Sequence, residues 1–123
     1  MAITSFPENP NDSGFVNEII WTFSGSLSTL QNNLIPKYLR SLEGIVEELE
    51  VLLQEAPVGS SAIFTFKING VSIGTVTVAA GATQGSNSIT PYAFGSADVF
   101  TVEITQVGST TPGTTATMIA RLA

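Results

Sequence analysis

The chain has 123 residues and a net charge of −6, with no cysteine and no histidine. Those absences exclude disulfides, thiolate zinc sites, thiol nucleophiles and imidazole chemistry. One domain of this length still buries roughly two-thirds of the surface its unfolded chain exposes, and the four basic residues Lys37, Arg40, Lys67 and Arg121 are too scattered to neutralise a nucleic-acid backbone.

Residues 1–15 hold Pro7 and Pro10 among Asn9, Asn11, Asp12, Ser13 and Gly14, a composition that competes with regular hydrogen bonding. An extended N-terminal arm is expected there, with Ile3, Phe6, Pro7 and Pro10 as candidate contact residues toward a partner. The segment lacks the basic start and apolar core of a signal peptide. No apolar run in the chain approaches the ~18 residues that cross a bilayer. The expectation is a chain neither Sec-exported nor membrane-inserted.

IIWTFSGSL, from Ile19 to Leu27, is rich in β-branched and aromatic residues and reads as a strand ending at Gly25. Residues 28–43 read as a connection with at most one turn of helix, because Asn32, Asn33 and Pro36 interrupt it and Pro36 biases Ile35 away from helix. EELEVLLQEAPVGSS, from Glu47 to Ser61, fits two periods. In threes and fours Leu49, Leu52, Leu53 and Ala56 share a helical face; in twos Leu49, Val51 and Leu53 oppose Glu48, Glu50 and Gln54. Pro57 and Gly59 follow at once and the neighbouring segments are strands, so residues 45–55 are read as a strand with Glu48, Glu50 and Gln54 solvated.

SAIFTFKI ends at Asn69-Gly70, a strong short signal for a tight hairpin because a type I′ turn needs positive φ at both central residues. VSIGTVTV returns. AAGATQGSNS reads as a loop and ITPYAF as a short edge strand, Pro91 being unable to donate to a central ladder. VFTVEITQV sets Phe100, Val102 and Ile104 against Val99, Thr101 and Glu103. After GSTTPG, the strand TTATMIARL places Ala116, Met118, Ala120 and Leu122 in one row. Short strands about ten residues apart indicate a sandwich or barrel. The predicted fold is thus all-β, an antiparallel, jelly-roll-like sandwich over residues 16–123, with room for one short helix within residues 34–53.

Several motifs occur in an order that resembles a small β-sandwich module of tailed-bacteriophage virion proteins. They are Trp21-x-Phe23-x-Gly25, Gly44-Ile45-Val46, Ala56-Pro57-x-Gly59-Ser60, Asn69-Gly70, Ala80-Gly81, Phe94-Gly95-x-x-Asp98, and the run from Thr101 through Gln106, Val107, Gly108, Ser109 and Thr110 to Gly113. The resemblance is nearest to capsid decoration, or cement, proteins. It departs from the family pattern in a longer, Leu-rich path over residues 26–43 and an unusually acidic strand at 45–55. It implies a non-enzymatic homotrimer on the outer capsid surface, with the major capsid protein and itself as partners and no cofactor, nucleic acid or membrane. The same resemblance extends to tail-fibre and other appendage modules, which would bind host glycan through loops 80–97 and 108–115 and aromatics such as Tyr92.

The chemistry-bearing residues agree with a role without turnover. Glu47, Glu48, Glu50 and Glu55 could form a cation site or an acid–base pair, but adjacent strand residues face opposite ways, which favours a solvated face. Asp98 reads as a turn cap beside Gly95. The Gly-Ser-Thr run at 108–115 has no Gly-Lys-Ser/Thr and is no phosphate loop. Trp21 reads as core.

Overall fold

A computed structural model of the chain describes residues 18–29, 34–38, 44–95 and 97–123, with Trp21 and residues 34–38 as backbone only. Eight strands follow in chain order: β1 (Glu18–Ser26), β2 (Leu34–Tyr38), β3 (Gly44–Glu55), β4 (Ala62–Ile68), β5 (Val71–Val78), β6 (Gln84–Phe94), β7 (Val99–Gln106) and β8 (Thr114–Leu122). They form two antiparallel four-stranded sheets, ordered β1-β8-β3-β6 and β2-β7-β4-β5. That order, with consecutive strands alternating between sheets except at the β4–β5 hairpin, is a jelly roll. The all-β sandwich expected from the sequence is the architecture observed.

Alternation builds the core. Phe64, Phe66 and Ile68 of β4, Phe100, Val102 and Ile104 of β7, Leu49, Val51 and Leu53 of β3, and Met118 of β8 are buried between the sheets. Each such side chain contributes roughly 1.5–3 kcal/mol by leaving water. Phe94 meets Phe100 edge-on at a centroid distance of 5.3 Å, the arrangement ring quadrupoles favour.

The ambiguous segment is a strand. Gly44–Glu55 lies between β6 and β8 and turns Leu49, Val51 and Leu53 inward. The short helix allowed for within residues 34–53 is absent from the described residues of that range, and so is the plain connection expected over 28–43. Leu34–Tyr38 is the strand β2, at the edge of its sheet, with a register shift between Leu34 and Lys37 where Pro36 falls. An edge position and a local irregularity are the two conditions under which a sheet tolerates the missing N–H of proline.

β6 also corrects the sequence reading. The loop expected over 79–88 is loop only to residue 83, and the edge strand begins at Gln84 rather than Ile89. Its register against β3 shifts between Tyr92 and Ser88, at the stretch containing Pro91. Gly85 and Asn87 close this side of the sandwich. A Cβ at Gly85 would overlap the Thr77 carbonyl, and Asn87 Nδ2 donates to the Thr75 carbonyl at 2.8 Å, so the unpaired edge of β5 is covered by β6.

The arm expected over residues 1–15, with Ile3, Phe6, Pro7 and Pro10, lies outside the described residues, as does the side chain of Trp21.

Candidate functional site

Three groups of residues stand out: one on a sheet face and one at each end of the sandwich. On the outer face of the β1-β8-β3-β6 sheet, register sets Arg121 of β8 between Glu18 of β1 and Glu48 of β3. Arg121 Nη2 donates to Glu50 Oε1, Nη1 lies 3.6 Å from Glu18 Oε2, and Nε lies 3.8 Å from Glu48 Oε1. Gln84 of β6 donates to the second oxygen of Glu50 at 2.5 Å. One guanidinium thus ties β8 to β1 and β3, Gln84 joins β6 to the same carboxylate, and both oxygens of Glu50 are occupied.

This corrects the expectation of a fully solvated acidic face. Glu48 does lie on the outer face, but Glu50 is only 7% exposed. It is buried because Ile119 stands directly opposite on β8 and Arg121 and Gln84 fold over it. The acid–base pair that the sequence could offer is bridged by a cation and an amide. Beside it lies a short apolar strip, with Ile20 48% exposed, Ile119 buried and Leu52 38% exposed.

At one end of the sandwich the β3–β4 loop packs on the β7–β8 loop. Val58 and Thr111 form an isolated bridge; Val58 N donates to Thr111 O at 2.9 Å and Thr110 N to Val58 O at 2.8 Å. Ser60 Oγ donates to the Val107 carbonyl at 2.9 Å, and Gly81 N of the β5–β6 turn to Pro57 O at 2.8 Å. Gly59, at φ +93°, comes so close to Ser109 and Thr110 that a side chain there would collide with both.

At the opposite end the β4–β5 turn is clamped to the loop before β7. Asn69 Nδ2 donates to Asp98 Oδ1 at 2.8 Å, and Asn69 Oδ1 accepts from Val99 N at 3.0 Å. Gly95 N donates to Asp98 Oδ2 at 2.9 Å. Asp98 is the turn cap the sequence suggested. The Gly95 N–H and then the Asn69 amide hold its carboxyl below the ordinary aspartate value. A lowered folded value stabilises the fold above the unfolded pKa, and that contribution is lost as pH falls through the folded value. Asp98→Asn is therefore expected to be less stable than the parent at neutral pH, the gap closing as acid titrates the parent below about pH 4. Urea midpoints compared along a pH series check this; a gap constant with pH would contradict it.

Tyr92, expected on an exposed loop, lies in β6, half-buried and packed against the core. Among the described residues no pocket opens and no cluster of three or more metal-ligating side chains forms. No described helix is long and apolar enough to cross a membrane. The sequence reasoning missed the role of Arg121. Its one visible trace is a lone cation in the otherwise apolar MIARL run.

No family model and no curated protein matches the chain. Among solved structures it is similar to the CBM36-1 domain of a multidomain xylanase from the hindgut metagenome of Trinervitermes trinervoides. That likeness has a TM-score of 0.48 and 14% identity, over 87% of this chain and 98% of that one. A second similarity is to an acetyl xylan esterase from the rumen bacterium Butyrivibrio proteoclasticus, with a TM-score of 0.34 and 12% identity, over 90% of this chain and 30% of that one.

Proposed function

We propose that this jelly roll is a structural binding module of a tailed-phage virion: a capsid decoration protein that trimerises on the outer shell, contacts the major capsid protein and holds neighbouring capsomers together. The observation that carries the reading is the meeting of two distant pieces of the resemblance. Ala56-Pro57-x-Gly59-Ser60 and the Gln106–Gly113 run are about fifty residues apart in sequence, yet they form one packed unit through the Val58–Thr111 bridge and the Ser60–Val107 bond. Both belong to loops at the same end of the jelly roll, so the two pieces form one surface that a partner can contact. The Asn69-Gly70 and Gly95-x-x-Asp98 pieces meet in the same way at the other end.

The mechanism is linkage. A protein that binds the assembled shell and not its separated subunits stabilises the shell by RT ln(1 + c/Kd) per site, c being its free concentration. Trimerisation would match binding sites with three-fold or quasi-three-fold symmetry. An arm over residues 2–14, ordering as it binds, would add contact to the shell beneath.

The test is the copy number of the protein in purified virions relative to the major capsid subunit, by quantitative mass spectrometry. A count comparable with the capsid subunit is expected. A few copies per particle would place it on the tail, overturn the decoration reading and favour a host-recognition appendage. Deleting residues 2–14 is expected to weaken binding to purified capsids; unchanged binding would remove the arm from the mechanism.

A further inference from the structure

The clamp between the β4–β5 turn and the loop before β7 depends on one primary amide. Asn69 is followed by the chain's only glycine to succeed an asparagine. Both residues are exposed at the turn, and Gly70 has open space where a Cβ would stand. This is the local chemistry that favours intramolecular attack on a side-chain amide, since the residue after the asparagine carries no side chain to crowd the approach. What opposes attack is the clamp. The amide nitrogen is held by Asp98 at 2.8 Å and the amide oxygen by Val99 N at 3.0 Å, which keeps Asn69 Cγ from turning toward Gly70 N.

We propose that Asn69 is a latent deamidation site, kept shut by Asp98, whose conversion by water to aspartate or isoaspartate releases the β4–β5 turn from the β6–β7 loop. In the first step Gly70 N bonds to Asn69 Cγ, the Cγ–Nδ2 bond breaks, and ammonia leaves carrying the proton from Gly70 N. In the second, water opens the resulting succinimide, at Cγ to give isoaspartate's counterpart, ordinary aspartate, or at the backbone carbonyl to give isoaspartate. The sum is asparagine plus water yielding the acid plus ammonia, with no oxidant or reductant.

The product undoes its own restraint. The donor that faced Asp98 becomes a second carboxylate, and two carboxylates at hydrogen-bond distance cannot both ionise without repulsion. An isoaspartate also adds a backbone methylene to a two-residue turn whose geometry sets the hairpin register. The modification therefore opens the clamp at the end of the sandwich remote from the β3–β4 and β7–β8 loops.

The experiment incubates the full-length protein in mildly alkaline buffer and follows each asparagine by peptide mass mapping, in the parent and in Asp98→Ala. Asn87, which is bonded to Thr75 and followed by serine, is the internal control. The ratio of Asn69 to Asn87 conversion is expected to rise several-fold in Asp98→Ala. A ratio equal to the parent's overturns the proposal; Met118→Ala, destabilised in the core with the clamp intact, controls for general unfolding, and a rise as large there overturns it too. The release is read separately by comparing Asn69→Asp with Asn69→Gly, which keeps the turn and adds no charge. Asn69→Asp is expected to be the less stable at neutral pH, the difference fading as acid neutralises the pair; equal stability at neutral pH overturns the release.

Discussion

Gly108→Ala is expected to destabilise the protein by about 3–5 kcal/mol, enough to remove most of the 5–15 kcal/mol that holds a domain folded. The glycine is buried where the β3–β4 and β7–β8 loops meet. A Cβ there would overlap the Thr111 carbonyl oxygen and stand 2.6 Å from Val58 N and 2.8 Å from Val58 O, all of them backbone atoms. No rotamer change relieves such a contact, so the loops must part. Overpacking of this kind costs about 1–3 kcal/mol. The bonds from Val58 N to Thr111 O, Thr110 N to Val58 O and Gly108 N to Pro112 O add roughly 1 kcal/mol each where they are lost. Gly70→Ala is the contrast: its φ is +82° but it faces open space, so only the left-handed penalty of about 1–2 kcal/mol applies. Urea unfolding of both variants separates the two causes. A Gly108→Ala loss no larger than that of Gly70→Ala would mean that the two loops do not pack as described.

The strands that the sequence made legible are those whose two faces meet different surroundings. β4 and β7 alternate strictly between core and outer face, and residues 69–70 mark the tight turn after β4. β3 was harder because its acidic residues are also good helix formers. Tertiary pairing on both sides decides it, through neighbours that come from β6 and β8. β2 and the first half of β6 were hidden for a different reason. Strand pairing uses backbone groups that every residue carries, so QGSNS pairs with β3 although it lacks the β-branched and aromatic residues that signal extension. The Arg121–Glu50 contact joins residues 71 positions apart and depends on the register of β3 against β8, which composition does not carry. The turn cap at Asp98 was legible because its partner Gly95 is three residues away.

Arg121→Ala is expected to cost about 2–3 kcal/mol, and the companion change at Glu50 shows what the ion pair is for. Removing one partner of a buried pair typically costs about 3–5 kcal/mol because the other charge stays behind without compensation. Here the arginine side chain is 35% exposed and that of Glu50 10%, so water offsets part of the loss. Gln84 remains on one oxygen of Glu50, but an amide does not cancel a charge. Replacing both partners by apolar residues, Arg121→Met with Glu50→Leu, is expected to bring stability back near the parent's, since a well-packed apolar pair often equals a buried ion pair. It should also change behaviour in solution. The new leucine would stand beside Ile119 and join Ile20 and Leu52 into a continuous apolar face across the sheet, and surfaces of that kind associate. Urea midpoints of the single and double variants give the coupling energy, and sedimentation gives the association state. A double variant that is stable and still disperses as the parent does would leave the pair without this role. A stable variant that self-associates would show that Glu50 and Arg121 keep the outer face of this sheet from pairing indiscriminately, at little net gain in stability.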